Sequence, residues 1–258
     1  MIRMIAHSLL VAFDLDDTLA PSKSPIDPTV LQLLERLLDT HEVCVISGGN
    51  YTQFQNQLIT GLGGVGEARL ERLHLMPTCG TQYYRREAGE WTQIYAEHLS
   101  GEETSAAMTA VEQSARDLGL WETETWGPVL EDRGSQVTFS ALGQQAPVEH
   151  KKVWDADGSK KAALRDRVAA LLPHLEVRSG GSTSIDITRK GIDKAYGIRR
   201  LAEHTGIDLD RMFFVGDRLD EGGNDYPVLA LGVACQAVEG WQDTAAFLTA
   251  ELADQPAV

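Results

Sequence analysis

The sequence predicts an α/β fold: a parallel sheet built from the two ends of the chain, interrupted by an α+β insert. Three observations carry that expectation. The stretches 9–13, 43–46 and 211–215 are near-uniformly apolar, the pattern of strands buried on both faces. Each lies beside a stretch with helical spacing, as strand–helix crossover units require. Between these ends the character changes to alternating strands, hairpin turns and interspersed helices.

Taken in order, residues 9–13 form the first strand and run into Asp14, Asp16 and Asp17, then Thr18 and a loop from Pro21 to Pro25. Asp27-Pro28 starts a helix with a capping carboxylate and a proline at the first position. Val30, Leu33, Leu34, Leu37 and Leu38 recur along it at helical spacing. The strand 43–46 ends at Ser47-Gly48-Gly49-Asn50, and a helix is expected over 51–58. Gly61 to Gly66 reads as a turn, because it has neither a P-loop lysine nor a strand-to-helix context.

A short strand over 73–76 follows, then a turn at Pro77-Thr78-Cys79-Gly80. Residues 82–86 and 91–95 form a hairpin about Gly89, which opens the insert. Ser100 and Glu103 have the spacing of a capping box for a helix reaching Leu118. Strands are expected over 129–133 and 136–142, and a helix over 159–172. The stretch 183–188 alternates, with Ile185 and Ile187 on one face and Ser184, Asp186 and Thr188 on the other. The first pattern then returns: a helix over 193–204, strands over 211–215 and 231–235, and a last helix over 243–252. The expected core is thus 1–81 with 187–258, the insert 82–186, with hinges at 80–82 and 187–191.

Composition narrows the function classes. The chain has 258 residues and a formal net charge of −15. That balance argues against a general nucleic-acid or anionic-membrane binder, though a local positive site for a small anionic substrate remains open. No apolar run approaches the roughly 18 residues that span a bilayer, and the start lacks a signal-peptide pattern. The three cysteines, Cys44, Cys79 and Cys235, lack metal-ligand spacing and read as core or near-core thiols of a cytoplasmic protein. The seven histidines show no paired zinc spacing.

The chemistry lies at the strand ends. Three carboxylates after a buried strand repel one another, and a bound cation would offset this; hard oxygen ligands suit magnesium. Asp14, Ser47 and Asp217 end three separate strands, and ligands of open parallel sheets bind outside such ends. Lys194, at a helix start where a cation is disfavoured, supplies positive charge for an anion. Each has a plainer reading: a solvated acidic loop, a helix cap at Ser47, a turn residue at Asp217, a surface lysine at Lys194.

As a set, Asp14-Leu15-Asp16-Asp17-Thr18, Ser47, Lys194 and Gly216-Asp217 resemble, in order, the four motifs of the haloacid dehalogenase superfamily. The insert between the second and third motifs stands where the Cof-type sugar-phosphate phosphatases of this superfamily carry an α+β cap, and the stretches Ile46-Ser47-Gly48-Gly49, Ser179 through Lys194, and Gly222-Gly223-Asn224-Asp225 resemble its eukaryotic phosphomannomutase branch. The resemblance implies a Rossmann-like core with a mobile inserted cap. It implies Asp14 as nucleophile, Asp16 as general acid and base, and Ser47 and Lys194 as phosphate binders. It places magnesium on Asp14, Asp217 and the backbone carbonyl of Asp16, with Asn224 and Asp225 supporting either the metal or Lys194. Substrate contacts fall to Lys23, Gly48, Arg133, Ser184 and Asp186.

Departures from the mutase pattern set the expected activity. Gln144 stands where the mutases carry a second cap arginine, and Lys23 where they carry an arginine. Asp17 replaces a glycine and Cys79 an asparagine. The expectation is therefore a magnesium-dependent phosphatase acting on a phosphorylated sugar or similar small metabolite. The alternative is a phosphomannomutase; a third reading is a non-catalytic sugar-phosphate sensor.

Overall fold

The structure, a computed structural model, describes residues 4–253. In chain order the elements are β1 (Leu10–Phe13), α1 (Pro28–Leu37), β2 (Glu42–Ile46), α2 (Tyr51–Gln57), α3 (Glu67–Leu70), β3 (Leu73–Met76), α4 (Pro77–Gly80), β4 (Gln82–Glu87) and β5 (Glu90–Ala96). Next come α5 (Gly101–Asp117), β6 (Leu130–Asp132), β7 (Gln136–Ser140), α6 (Val148–Trp154), α7 (Ser159–Leu171), β8 (Leu175–Ser179) and β9 (Ser184–Arg189). The chain ends with α8 (Lys194–Thr205), β10 (Met212–Gly216), α9 (Tyr226–Ala230), β11 (Ala234–Ala237) and α10 (Trp241–Glu251).

The chain divides into two compact units, one running to Ala96 and resuming at Asp193, the other Glu97–Ile192. The first holds a seven-stranded sheet in the order β11-β10-β1-β2-β3-β4-β5. Pairing is parallel from β11 to β3, and antiparallel for β4 and β5. Successive strand residues enter different cores. Val11, Phe13, Val43, Val45, Phe213 and Val215 pack with Leu33 and Leu34 of α1, Phe54 of α2 and Leu248 of α10. Leu10, Ala12, Cys44, Ile46, Met212 and Phe214 pack with Ile198 and Leu201 of α8 and Val228 of α9. Both faces are covered, which is why these strands do not alternate in sequence.

Local chemistry fixes the helix starts. Asp27 accepts the Thr29 N–H at 2.8 Å, with Pro28 at the first position of α1. The capping box of Ser100 and Glu103 opens α5, which ends at Asp117. In the second unit the sheet order is β6-β7-β9-β8, antiparallel throughout. Val137, Phe139, Val177, Ile185 and Ile187 face Ala107 and Val111 of α5 and Leu164 and Val168 of α7. The helix α6 and the strand β8 have no counterpart among the expected elements.

The boundaries differ from expectation. The β4–β5 hairpin, assigned to the insert, extends the core sheet: Leu75 pairs with Tyr84 and His74 with Arg85. Tyr84 stacks on Tyr51 at 3.9 Å, and buried Tyr83 packs against His204. Alternation reveals a hairpin but not the edge it joins. The units accordingly meet at Ala96/Glu97 and Ile192/Asp193, not at 81/82 and 186/187. The expected hinges lie inside units. At Gly80 a Cβ would sit 2.5 Å from Gly197 Cα, so this turn is clamped against α8. Similarly, β11 begins at Ala234, because Leu231 caps α9 instead.

Candidate active site

Adjacent strands β10, β1 and β2 bring Asp217, Asp14 and Ser47 to one end of the sheet. The Asp14 N–H donates to Val215 O at 3.0 Å, continuing the β1–β10 ladder by one step into the site. Lys194, the first residue of α8, is buried, not solvated. Its Nζ lies 2.6 Å from Asp14 Oδ1 and donates to Asp225 Oδ1 at 2.5 Å. Asp225 also accepts the Arg218 N–H at 3.1 Å, so both of its oxygens are engaged. At Gly216 a Cβ would lie 2.4 Å from Asp225 Oδ2; only glycine lets that carboxylate reach the strand end. Asp217 accepts from the Thr18 hydroxyl at 3.4 Å, and Thr244 donates to Thr18 O at 2.7 Å.

Asp14, Asp217 and Asp225 each place a carboxylate oxygen within 4.8 Å of the others. Burial, then the charges of Asp225 and Asp217, push the Asp14 carboxyl up against the pull of Lys194. Burial and Asp225 likewise raise Asp217. Burial works against the Lys194 ammonium, but Asp14 and Asp225 overcome it and hold the amine firmly protonated. Three carboxylates thus share one ammonium in a low-dielectric site, a surplus of negative charge that a hard divalent cation would relieve. With Asp225 committed to Lys194 and Arg218, Asp14 and Asp217 are the carboxylates that fit such a cation.

Ser47 is buried, and its Oγ accepts the Gly49 N–H at 3.1 Å. It does not cap α2: Asn50 does, accepting the Gln53 N–H at 2.9 Å. Next to this loop, Thr78 and Cys79 both adopt positive φ (50° and 55°). Their N–H groups donate to Gly49 O and Ser47 O at 2.9 Å each. Cys79 Sγ lies 4.0 Å from where a Gly48 Cβ would be. Lys23 is exposed, and its backbone N–H donates to Asp16 Oδ1 at 2.8 Å.

The Asp16 carboxylate stands outside the Asp14–Asp217–Asp225 group. Gln53 Nε2 donates to its Oδ2 at 2.8 Å and Gln57 Nε2 to its Oδ1 at 3.1 Å. The sequence reading missed both glutamines, although their i, i+4 spacing after the Ser47 loop was visible. Asn224 is exposed, whereas its neighbour Asp225 is central to the charge cluster.

In the second unit, Asp186 on β9 faces Thr138 on β7 and accepts from Thr138 Oγ1 at 2.7 Å and Gln136 Nε2 at 2.9 Å. Ser184 pairs in register with Ser140. Arg133, 8% exposed at its side chain, pairs with Glu131 at 2.7 Å. The same amine, Nη2, donates to Gln144 Oε1 at 3.4 Å, while Arg133 Nε also donates to Glu131 at 2.8 Å, and Gln144 donates to Ser140 Oγ at 2.9 Å. Glu131, Gln136 and Thr138 were not anticipated, being ordinary strand residues by type.

A family model described as eukaryotic phosphomannomutase matches residues 30–253, a stretch that begins after the Asp14 motif. Phosphomannomutase 1 of Mus musculus is 27% identical over 229 residues, 86% of this chain and 83% of its own. The phosphomannomutase of Encephalitozoon cuniculi is 26% identical over 224 residues, 84% of this chain and 82% of its own. Among solved structures, an IMP-bound Plasmodium falciparum IMP-nucleotidase superposes with a TM-score of 0.70 at 14% identity, over 96% of this chain and 69% of that one. A haloacid dehalogenase-like hydrolase from Bacteroides thetaiotaomicron gives 0.61 at 15% identity, over 94% and 99%. These two likenesses establish the fold alone: a haloacid dehalogenase core with a cap.

Proposed function

The chain belongs to the eukaryotic phosphomannomutase family of the haloacid dehalogenase superfamily, and on that premise we propose that it moves a phosphoryl group between positions of a hexose phosphate through Asp14. The observation that carries the reading is the family match, which spans both units. An Asp14 carboxylate oxygen attacks phosphorus and the ester P–O bond breaks, giving an aspartyl-phosphate. Asp16 gives its proton to the departing sugar oxygen. In the return step Asp16 takes the proton of an acceptor hydroxyl, that oxygen attacks phosphorus, and the acyl-phosphate bond breaks to restore Asp14. Lys194 holds Asp14 in place and balances its charge, and Ser47 with Lys194 binds the transferring phosphate. Magnesium held by Asp14, Asp217 and the Asp16 carbonyl would spread the charge of the phosphoryl oxygens. Asn224 and Asp225 support the site, Asp225 through its bond to Lys194.

Substrate contacts outside the core belong in this reading to Arg133, Ser184 and Asp186, with Lys23 and Gly48 in the first unit. The hydrolytic reading inferred from Gln144 and Lys23 yields to transfer, because the relatives across most of the chain are named phosphomannomutases. Hydrolysis remains the second reading on one observation: Arg133 is already paired with Glu131 at 2.7 Å. A purely sensing role is disfavoured by the full set of transfer groups. No described helix is long and apolar enough to cross a membrane.

The test is one assay on the wild type and Asp14→Asn, with and without magnesium. Mannose and glucose 1- and 6-phosphates are supplied with a trace of sugar bisphosphate. The expected outcome is isomer interconversion that needs Asp14 and magnesium. Free phosphate in place of isomers would select the second reading, and turnover unchanged in Asp14→Asn would remove both.

A further inference from the structure

We infer that Gln53 and Gln57 are positioning residues that clamp Asp16 for proton transfer, an inference that rests on the proposed reaction through Asp14. The two amides meet opposite oxygens of one carboxylate, Gln53 Nε2 at 2.8 Å from Oδ2 and Gln57 Nε2 at 3.1 Å from Oδ1. The Lys23 N–H adds a third donor to Oδ1 at 2.8 Å. Bonds to both oxygens from different sides fix the plane of the carboxylate as well as its position. Four residues apart on α2, the amides share one helix face. Phe54, next to Gln53 in sequence, is buried in the core and anchors that helix. The clamp thus stands on rigid structure.

Two further features fit this role. At Gly49 a Cβ would lie 2.3 Å from Gln53 Oε1 and 2.6 Å from Gln53 Cδ. The φ of Gly49 is not in the positive range, so backbone freedom does not demand glycine there. Room for the Gln53 carboxamide on its way to Asp16 does. The second feature is Gln57, only 3% exposed. Its Nε2 is shared between Asp16 and Ser24 O, the latter at 2.9 Å, while its Oε1 is buried with no hydrogen-bond partner. A leucine would fill that place without an orphaned carbonyl. Burying an amide at that penalty makes sense where its N–H groups hold something, here Asp16 and the loop at Lys23 and Ser24.

The residue type fits the task. A lysine or arginine would lock the carboxylate into an ion pair and compete for it during proton transfer. A neutral amide orients it and releases it. Misplacing a catalytic group by an ångström costs on the order of 100-fold in rate.

The readout is leaving-group dependence. Departure of p-nitrophenolate from p-nitrophenyl phosphate needs no proton, whereas departure of a sugar alkoxide does. In the magnesium-loaded enzyme, Gln53→Leu is expected to lower kcat/KM for mannose 1-phosphate by roughly 10- to 100-fold. It should leave kcat/KM for p-nitrophenyl phosphate within about twofold. Gly49→Ala, which pushes the Gln53 amide aside, should show the same selective loss, and combining it with Gln53→Leu should add little. Equal losses on both substrates, or no loss on the sugar phosphate, would overturn the clamp while leaving the reaction through Asp14 intact. Activity on both substrates retained in Asp14→Asn would instead overturn the reaction, and the clamp with it.

Discussion

Two polar clusters among the described residues hold comparable groups in different balance. Around Lys194 the side chains are sealed: 0% exposed for Lys194, 5% for Asp14 and 0% for Asp225, with Asp217 close by. One ammonium faces three carboxylates. Around Arg133 the guanidinium pairs with Glu131, which is 27% exposed, and donates to the amide of Gln144, which in turn donates to Ser140 Oγ. The second cluster is satisfied as it stands. The first carries a surplus of carboxylates that a divalent cation would relieve. Unbalanced charge in a dry site points to chemistry, while a balanced network points at most to binding.

The largest expected effect breaks that contrast at its centre. Lys194→Met leaves Asp14 and Asp225 buried and unpaired, which should cost about 3–5 kcal/mol of folding stability and nearly all turnover. Arg133→Met leaves Glu131 near water, where it can rehydrate, so its loss should stay under about 1.5 kcal/mol. Urea unfolding of both variants in chelator measures the difference, and magnesium should recover part of the Lys194→Met loss. Equal losses would show that the clusters do not differ as described.

The same contrast explains what could be read without coordinates. Asp14, Ser47, Lys194 and Asp217 were legible because each stands at an abrupt change of pattern, where an apolar strand ends or a helix begins with the wrong charge. The sheet was legible because strands buried on both faces lose their alternation. Gln53 and Gln57 were not, since a glutamine on a short helix looks the same whether it meets water or a carboxylate. Asp225 showed only as a supporting residue, because its burial depends on Gly216 lying against it. The β4–β5 hairpin was recognised, but its place was not: local pattern specifies strand and turn, whereas Tyr84 on Tyr51 and Tyr83 against His204 decide which edge it joins.

A smaller effect sharpens the comparison from the other side. Gln144→Arg adds a guanidinium next to Arg133 and so raises the positive charge of that network. For a bisphosphate the expected result is a KM lower by roughly tenfold, with kcat for p-nitrophenyl phosphate unchanged. The ratio of isomer formed to phosphate released should rise with it. A fall in kcat on both substrates would mean that the substitution had disturbed the β7–β9 face instead of supplying charge.

The smallest effect concerns a pair that is neither buried nor unbalanced. Glu103 meets Arg189 at 2.9 Å, with side chains 23% and 48% exposed, and closes the capping box with Ser100. The bond to Arg189, then the Ser100 N–H, hold its carboxyl down to about 2. A depressed carboxylate stabilises the fold above its unfolded value near 4.3, and that stability is lost as pH falls towards about 2. Because solvent screens the pair, Glu103→Gln should cost less than about 1 kcal/mol at pH 7. Unfolding followed at pH 7, 4 and 2.5 should show the wild type and variant converging through that window, and added salt should narrow the gap at pH 7. Glutamine keeps an oxygen for the Ser100 N–H, so a gap that survived at pH 2.5 would belong to capping geometry. Convergence assigns it to charge, and shows that even a balanced pair in this unit contributes little beside the buried surplus around Lys194.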